Sequence, residues 1–545
     1  MGYKKIIDQN PFGPKEETGV TGVNLGGTSG WYGACSIEDF LGNINDLSWT
    51  HEDAGDFLDY PTQFTPANFW YKDRGVGVWL YEEEYDNWQN RYGMDAVTVF
   101  YHAGHGDMDP DGTFWAPTGS IWNGRSWACS RNMAFANEEL RYLFWSTCLG
   151  LRVNDGHSPI RTWSNPNKGG LRMIFGYDTV ITDSRNYGKY FWQEWRKNRT
   201  FKDAFIEASW RISHNQTPVV CAMGHDYWEA KSRLVNERIF DWPSVSSCCW
   251  AWEWRVRSHK KKRKMMTQEP DNNNALILDP NMINDTLLST MANKVGITQR
   301  TAASIKLDNI GNRIVGTKDI QVSLSGDGQL SFQLGKANYQ NEKQIEEKNA
   351  VKIAESLISD LGLSKGVKLV QGTTYNSMLG GGSTKNEELL EPKVMETIIQ
   401  FRQEHSGIES VNSEHGLISV AVDNDGKVTR VFSSLKPVVD ERKQVEFGVN
   451  RKSASLKQNA KSREEQFQQK IDNIIGQTKI SSKMSDKLAD SLSSDDQAEM
   501  KPSVKIIDEK IGYDFSSNFA KPVHQREVEI KVGRFAKRYK LRVDL

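Results

Sequence analysis

The chain has 545 residues, a formal net charge of −1 and a mean hydropathy of −0.62. A chain of this length needs more than one core, so two or three domains are expected. Its near-neutrality argues against a globally basic nucleic-acid binder, and no apolar run approaches the roughly 18 residues of a membrane span.

In chain order, residues 1–17 are polar with two prolines and read as an arm. They lack an apolar stretch, so no signal peptide is expected, and Ile6 stands where a myristoylation motif wants Ser or Thr. Val20–Leu25 reads as a first strand running into a glycine-rich stretch that lacks the Gly-Lys-Ser/Thr of a phosphate loop. Ile37, Phe40, Leu41, Ile44 and Leu47 keep helical steps. Phe69–Tyr71 and Val76–Tyr81 read as strands, and Glu82–Asp86 opens a helix with an acidic first turn. Two β-branched or aromatic runs follow, Asp95–Gly106 and Leu140–Gly150, separated by Phe114–Asn137, which reads as loop plus one helix. Leu171–Gly176 is a further strand, Tyr187–Arg196 and Phe201–Ile212 are helices, and Thr217–Gly224 is a last strand. Strands alternating with helices predict an α/β layered fold with a mostly parallel sheet.

All 18 tryptophans and all six cysteines lie at or before position 254, and this step in composition marks a domain boundary. It coincides with the basic run Arg255–Lys264 and the polar Pro270–Asn274, so 18–254 reads as one domain and 255–274 as a linker. Residues 275–450 read as a smaller α+β domain, with hairpins at Ile320–Leu334 and Leu417–Phe432 and a helix over Asn341–Leu361. The charged stretch 451–500 reads as solvated helix or disorder, and 501–545 as a terminal hairpin. The cysteines form no disulfide framework and no Cys-x-x-Cys pair, which fits a reducing compartment. A cytoplasmic location is expected, with nuclear import through Lys260–Lys264 or export by another route left open.

The candidate chemistry lies at the ends of the two apolar runs. One delivers His105-Gly106, the other Cys148-Leu149-Gly150, and 43 positions separate the histidine from the cysteine. Neighbouring parallel strands deposit such residues at one carboxyl edge, where a thiol and an imidazole can work as nucleophile and base. Taken alone, Cys148 reads as a small buried hydrophobe at a strand end; the matching His105-Gly106 is what turns the reading to a nucleophile.

Over roughly residues 18–225 this pattern resembles the caspase-like (clan CD) cysteine peptidases, with Ser146-Thr147 before the cysteine where caspases carry Gln-Ala. The resemblance implies a three-layer caspase-like domain and a cysteine endopeptidase with Cys148 as nucleophile and His105 as base and acid. It implies an oxyanion hole made by the backbone N–H groups of Gly106 and Cys148, no required cofactor, and a protein or peptide substrate. The alternatives are a non-catalytic binding or scaffold protein on the same fold and another cysteine-dependent amidohydrolase. The helix-then-hairpin units of the second half loosely resemble PepSY and FTP-type propeptide modules, around Gly407, Ile408 and the Asp425-Gly426 turn. That resemblance implies an inhibitory or chaperoning contact with the first domain.

His102, three positions before His105, is expected to face the other side of its strand. Asp107, Asp109 and Asp111 match the opening of a calcium loop, but Thr118 stands where the twelfth-position Glu belongs, so calcium competes with a plain acidic turn. Asp183 reads either as a helix N-cap or, by the resemblance, as an acid in a substrate pocket selecting Arg or Lys. Lys260–Lys264 reads as a solvated linker, a basic patch or a self-cleavage site.

Overall fold

The computed structural model describes residues 4–5, 9–12, 30–42, 44–258, 274–279, 285–298, 305–308, 311–317, 319–386, 388–443, 456–481 and 502–545. The expected strand at Val20–Leu25 and the basic run Lys260–Lys264 lie outside the described residues.

The sheet that carries the candidate site is built from β1 (Gly30–Ser36), β2 (Phe69–Lys72), β3 (Val97–Ala103), β6 (Tyr142–Ser146) and β7 (Met173–Tyr177). These five run parallel in the order β2-β1-β3-β6-β7. Every residue of β3 and β6 is buried, as expected for central parallel strands covered on both faces. A hairpin, β4 (Phe114–Trp122) and β5 (Arg125–Cys129), lies between β3 and β6 in sequence. β8 (Pro218–Gly224) and β9 (Cys249–Arg257) then extend the sheet antiparallel.

One face is covered by helices α1 (Thr50–Thr62), α2 (Tyr187–Trp195), α3 (Phe201–Ile212) and α4 (Tyr227–Asn236), whose Phe57, Phe191, Phe205 and Leu234 pack with Tyr101, Phe144 and Phe175. The sequence caps two of these helices. Thr200 accepts from the Asp203 N–H and Asp226 from the Glu229 N–H, each relieving one unpaired donor of a first turn. The opposite face is covered by the β4–β5 hairpin and short helical turns, with Phe114, Trp145 and Trp163 at its centre.

In the second half come β10 (Asn274–Leu278), α5 (Asp285–Lys294), β11 (Arg313–Gly316), β12 (Gln321–Leu324), β13 (Leu330–Gln333) and α6 (Glu347–Leu361). They are followed by β14 (Lys368–Ser383), β15 (Leu389–His405), β16 (Leu417–Asp423), β17 (Val428–Ser433) and β18 (Val438–Lys443). The chain closes with α7 (Leu456–Ser481), β19 (Ser503–Asp514), β20 (Phe519–Val532) and β21 (Phe535–Asp544). β9 pairs along its whole length with β14, so the sheet passes without a break from the first half into the second and reaches 17 strands among the described residues. β10, β18, β19, β20 and β21 make a separate five-stranded sheet. Phe467 and Ile471 of α7 pack onto its Val528, Ile530, Leu541 and Val543.

Several sequence expectations are corrected. The molecule is mixed α/β, but in the large sheet the parallel pairings are those among β1, β2, β3, β6 and β7 and a short one between Lys4–Lys5 and Lys306–Leu307, while its other pairings are antiparallel. The boundary expected at 254/255 falls inside β9, because a change in residue composition need not interrupt hydrogen-bonded pairing. Ile37–Leu47 forms no helix among its described residues; Gly42 takes φ 73°, and Ile37, Phe40, Ile44 and Leu47 are buried from a bent loop. The helix lies later, at α1, with Glu52 and Asp53 in its first turn. Val76–Tyr81 holds a 3-10 turn at Val78–Leu80 instead of a strand; its apolarity reports burial, which periodicity cannot distinguish from strand in so short a run. Phe114–Asn137 contains a hairpin and no helix, turning at Asn123-Gly124, both at positive φ. Thr217–Gly224 is not the last strand of the first half, since β9 follows it. The stretch 451–500 contains a packed helix, because Phe467 and Ile471 give it one apolar edge. Among the described residues no helix is long and apolar enough to cross a membrane.

Candidate functional site

The site is set by the register of β3 and β6. Ala103 pairs with Ser146, so His105 and Cys148 each lie two residues beyond the same rung, at the carboxyl ends of adjacent parallel strands. Neighbouring strands run about 4.8 Å apart, which puts both residues at one rim of the sheet. Gly106 brings the two segments together. A Cβ there would stand 2.7 Å from the Cys148 carbonyl oxygen and 2.9 Å from the Thr147 Cβ, closer than any side-chain carbon sits, so only glycine allows this approach. Just past the cysteine, Leu149 takes φ 58°, a left-handed conformation that a leucine adopts only at some energetic cost.

His105 is buried, and its Nε2 lies 2.7 Å from the Asn45 carbonyl oxygen. A carbonyl can only accept, so Nε2 carries the hydrogen and Nδ1 keeps its lone pair. Nδ1 is buried and has no hydrogen-bond partner among the described residues. Burial, with help from the Lys537 charge, holds the imidazole pKa down to about 3, so the ring is neutral.

Cys148 is 1% exposed. Its thiol donates to the Ala536 carbonyl at 3.1 Å and its sulfur accepts from the Ile181 N–H at 3.4 Å. Burial pushes the thiol pKa up, only partly offset by Lys537 and the Ile181 N–H, so the group is protonated as it stands.

The Ala536 carbonyl belongs to the tip of the β20–β21 hairpin, which covers the rim. Gly533 takes φ 58° at the first position of its two-residue turn, where positive φ suits the twist of the strands. Phe535 packs on Trp127 at 4.9 Å and on the His105 ring at 5.7 Å. Lys537 is 2% exposed and its ammonium donates to the Gly104 carbonyl at 3.3 Å. Arg538 is paired through its backbone to the loop after β7, receiving from Asp183 N–H at 2.8 Å and donating to Ile181 O at 3.0 Å.

The remaining sequence-predicted residues fall around this tip. Asp107 and Asp109 both accept from Arg534, at 2.8 and 2.7 Å, while Asp111 turns away to pair with Arg131. Two of the three carboxylates expected to face one calcium ion therefore face one guanidinium, and the third points elsewhere. Asp183 does not cap α2; its carboxylate accepts from the Ser48 N–H at 3.0 Å, and burial pushes its pKa up to about 6 against the pull of Lys537. His102 is buried within its strand in contact with Cys35, Tyr81 and Trp145, while the His105 ring, beyond the strand end, packs on Phe40 and Phe535.

Three constellations escaped the sequence reading. Asp53 of α1 lies one rung behind the rim, accepting from Ser146 Oγ at 2.6 Å, Tyr101 Oη at 2.8 Å and the Gly188 N–H at 2.8 Å. Burial pushes its pKa up to about 7, against those hydrogen bonds and Lys537. Its signal, two acids in the first turn of a helix, was obscured by placing the helix at 37–47. Cys35 meets His102 Nδ1 at 2.9 Å and Tyr81 Oη at 2.9 Å, wholly inside the core. Ser36, His51 and Asp73 form a Ser-His-Asp chain with contacts of 2.8 and 2.9 Å, but Ser36 is fully buried and its hydroxyl is also held by Trp70 Nε1.

One protein family matches the chain, over residues 31–255; it is described as a domain of unknown function (DUF6345). The match opens in β1, ends in β9 and contains both His105 and Cys148, while the β20–β21 hairpin lies outside it. None of the curated proteins matches the chain.

Proposed function

We propose that this chain is a caspase-like cysteine peptidase that hydrolyses peptide bonds with Cys148 and His105. One observation carries the reading: His105 and Cys148 extend equally past a shared rung of two parallel strands, and a peptide carbonyl lies 3.1 Å from the Cys148 sulfur. The rim thus already accommodates the functional group that a peptidase attacks.

In this mechanism the Cys148 thiol gives its proton to His105 Nδ1, the nitrogen left free because Nε2–H is committed to Asn45. The sulfur forms a bond to the carbonyl carbon, and the oxyanion is met by the N–H groups of Gly106 and Cys148. Collapse breaks the C–N bond, and the imidazolium returns the proton to the leaving amine. Water, deprotonated by the same nitrogen, then hydrolyses the thioester and restores the thiol. No step needs a metal; Asp107 and Asp109 serve the hairpin tip through Arg534.

A second reading is favoured by the burial of Cys148 and its raised pKa. In it the rim is a docking groove and the thiol only a hydrogen-bond donor within it. The two separate on one measurement. The full chain and its Arg534→Ala variant are incubated with a peptide library, alongside Cys148→Ala partners, and new termini are read by mass spectrometry. Cleavage that disappears with Cys148→Ala is the expected result. No cleavage by either chain, with Cys148 shown to alkylate in the variant, would leave the groove reading.

A further inference from the structure

We infer that the buried pocket holding Lys537 is a recognition site for a lysine side chain on an extended peptide, and that the β20–β21 hairpin tip is its resident occupant, keeping Cys148 covered until it withdraws. This rests on the peptidase reading for its catalytic meaning, but not for the pocket or the cover.

The argument begins with Lys537. A lysine that is 2% exposed has given up nearly all its hydration, which is unfavourable unless the protein supplies acceptors and negative charge. The Gly104 carbonyl at 3.3 Å supplies the acceptor. Asp53 and Asp183, two carboxylates on different elements, feel the Lys537 charge, which lowers the pKa of each while burial holds both raised. These groups belong to the body of the sheet and its loops and not to the hairpin, so the pocket is a property of the first half of the chain.

The backbone of the tip is held as a peptide ligand would be. Arg538 pairs with Ile181 and Asp183 through two main-chain hydrogen bonds, the mode by which a strand is added to an exposed edge. Alternate side chains then find their own places: Phe535 on Trp127 and His105, Lys537 in the pocket. Between them, Ala536 presents its carbonyl to the sulfur. This occupant remains uncut because the thiol donates its proton to the carbonyl oxygen instead of giving it to His105, and burial favours the thiol over the thiolate. The tip also runs parallel to the loop that it pairs with.

What holds the tip can also release it. Arg534 bridges Asp107 and Asp109 in ion pairs that are partly exposed and therefore weak and salt-sensitive. Glu527, lower on the hairpin, accepts from Ser213 Oγ at 2.9 Å and Asn215 Nδ2 at 2.6 Å, which anchors the stem while the tip moves.

The test measures the rate at which iodoacetamide alkylates Cys148, by peptide mapping of the full chain, in the native protein, Arg534→Ala and Lys537→Glu. Expected is slow alkylation of the native chain, with Cys148 at least about ten-fold faster in each variant. A synthetic peptide of the tip sequence Val532–Arg538, added to Arg534→Ala, should restore protection, and the same peptide with Glu at the Lys537 position should not. Should Lys537→Glu fail to fold, Arg534→Ala and the two peptides still decide. Unchanged alkylation in Arg534→Ala overturns the cover, and equal protection by both peptides overturns the lysine pocket. Fast alkylation and lysine-dependent protection without any peptide cleavage would sustain this inference and remove the peptidase reading. Cleavage by the native chain that the variants do not alter would do the reverse.

Discussion

Among the described residues, Cys35 with His102 and Cys148 with His105 lie on neighbouring strands of one sheet, and they differ in what surrounds them. Cys35 and His102 face each other directly across the β1–β3 register, with sulfur and ring nitrogen 2.9 Å apart. They lie within their strands, and Tyr81 and Trp145 close the space around them. Burial drives the Cys35 thiol pKa up and holds that of His102 down to about 3. Cys148 and His105 belong to strands that have just ended, and what covers them is a hairpin from the far end of the chain. Closeness of thiol and imidazole is therefore a poor guide to chemistry here. On the proposed reading, the position that matters is the one a peptide backbone can reach.

The largest expected contrast is in turnover. In the Arg534→Ala background, Cys148→Ala should lower peptide hydrolysis by about a thousand-fold or more, whereas Cys35→Ala should leave it within about two-fold, measured with one fluorogenic peptide. A comparable loss from both variants would erase the distinction between rim and core pairs.

The next contrast is in pH. His105 has a folded-state pKa held down to about 3 by burial, against 6.5 for an ordinary histidine. Between those values the unfolded chain takes up a proton that the folded chain refuses, so this residue's contribution is fully present above pH 6.5 and is lost as pH falls. The native chain should lose about 2 kcal/mol more than His105→Gln on going from pH 6.5 to 5, read by urea denaturation at the two pH values. Equal losses would mean that the ring is already protonated or exposed, and that the rim is open.

A smaller effect is expected in the core. Cys35→Ala should lower stability by about 1–2 kcal/mol through the loss of a buried hydrogen-bonding partner for His102 and Tyr81, with no change in Cys148 alkylation. Smallest of all, raising ionic strength from about 0.05 to 0.5 M should speed Cys148 alkylation a few-fold in the native chain and not in Arg534→Ala, because salt screens only ion pairs that are present. A salt response of equal size in both would remove Arg534 as the latch.

Much of the rim was legible in the sequence. The apolar runs ending in His105-Gly106 and Cys148-Leu149 announce two buried strands, and both are observed. The α3 helix was found at its observed ends, Phe201 and Ile212, because its apolar steps repeat cleanly. The hairpins expected at Ile320–Leu334 and Leu417–Phe432 from alternation around glycine turns are observed at Gln321–Gln333 and Leu417–Ser433. Elsewhere apolarity misled: Ile37–Leu47 and Val76–Tyr81 are buried loops and turns, which share the composition of helices and strands but not their hydrogen bonding.

The sequence by itself determined which two strands end in a reactive residue, because strand period, burial and small residues are properties of a few consecutive positions. Only the tertiary structure decided that their rim is covered, and by what. Ala536 lies 388 positions from Cys148, and nothing local in either segment encodes their meeting. That contact depends on one hairpin matching, in shape and charge, a groove assembled from α1, β3, β6 and the loop after β7. Complementarity between folded surfaces does not exist until both have folded.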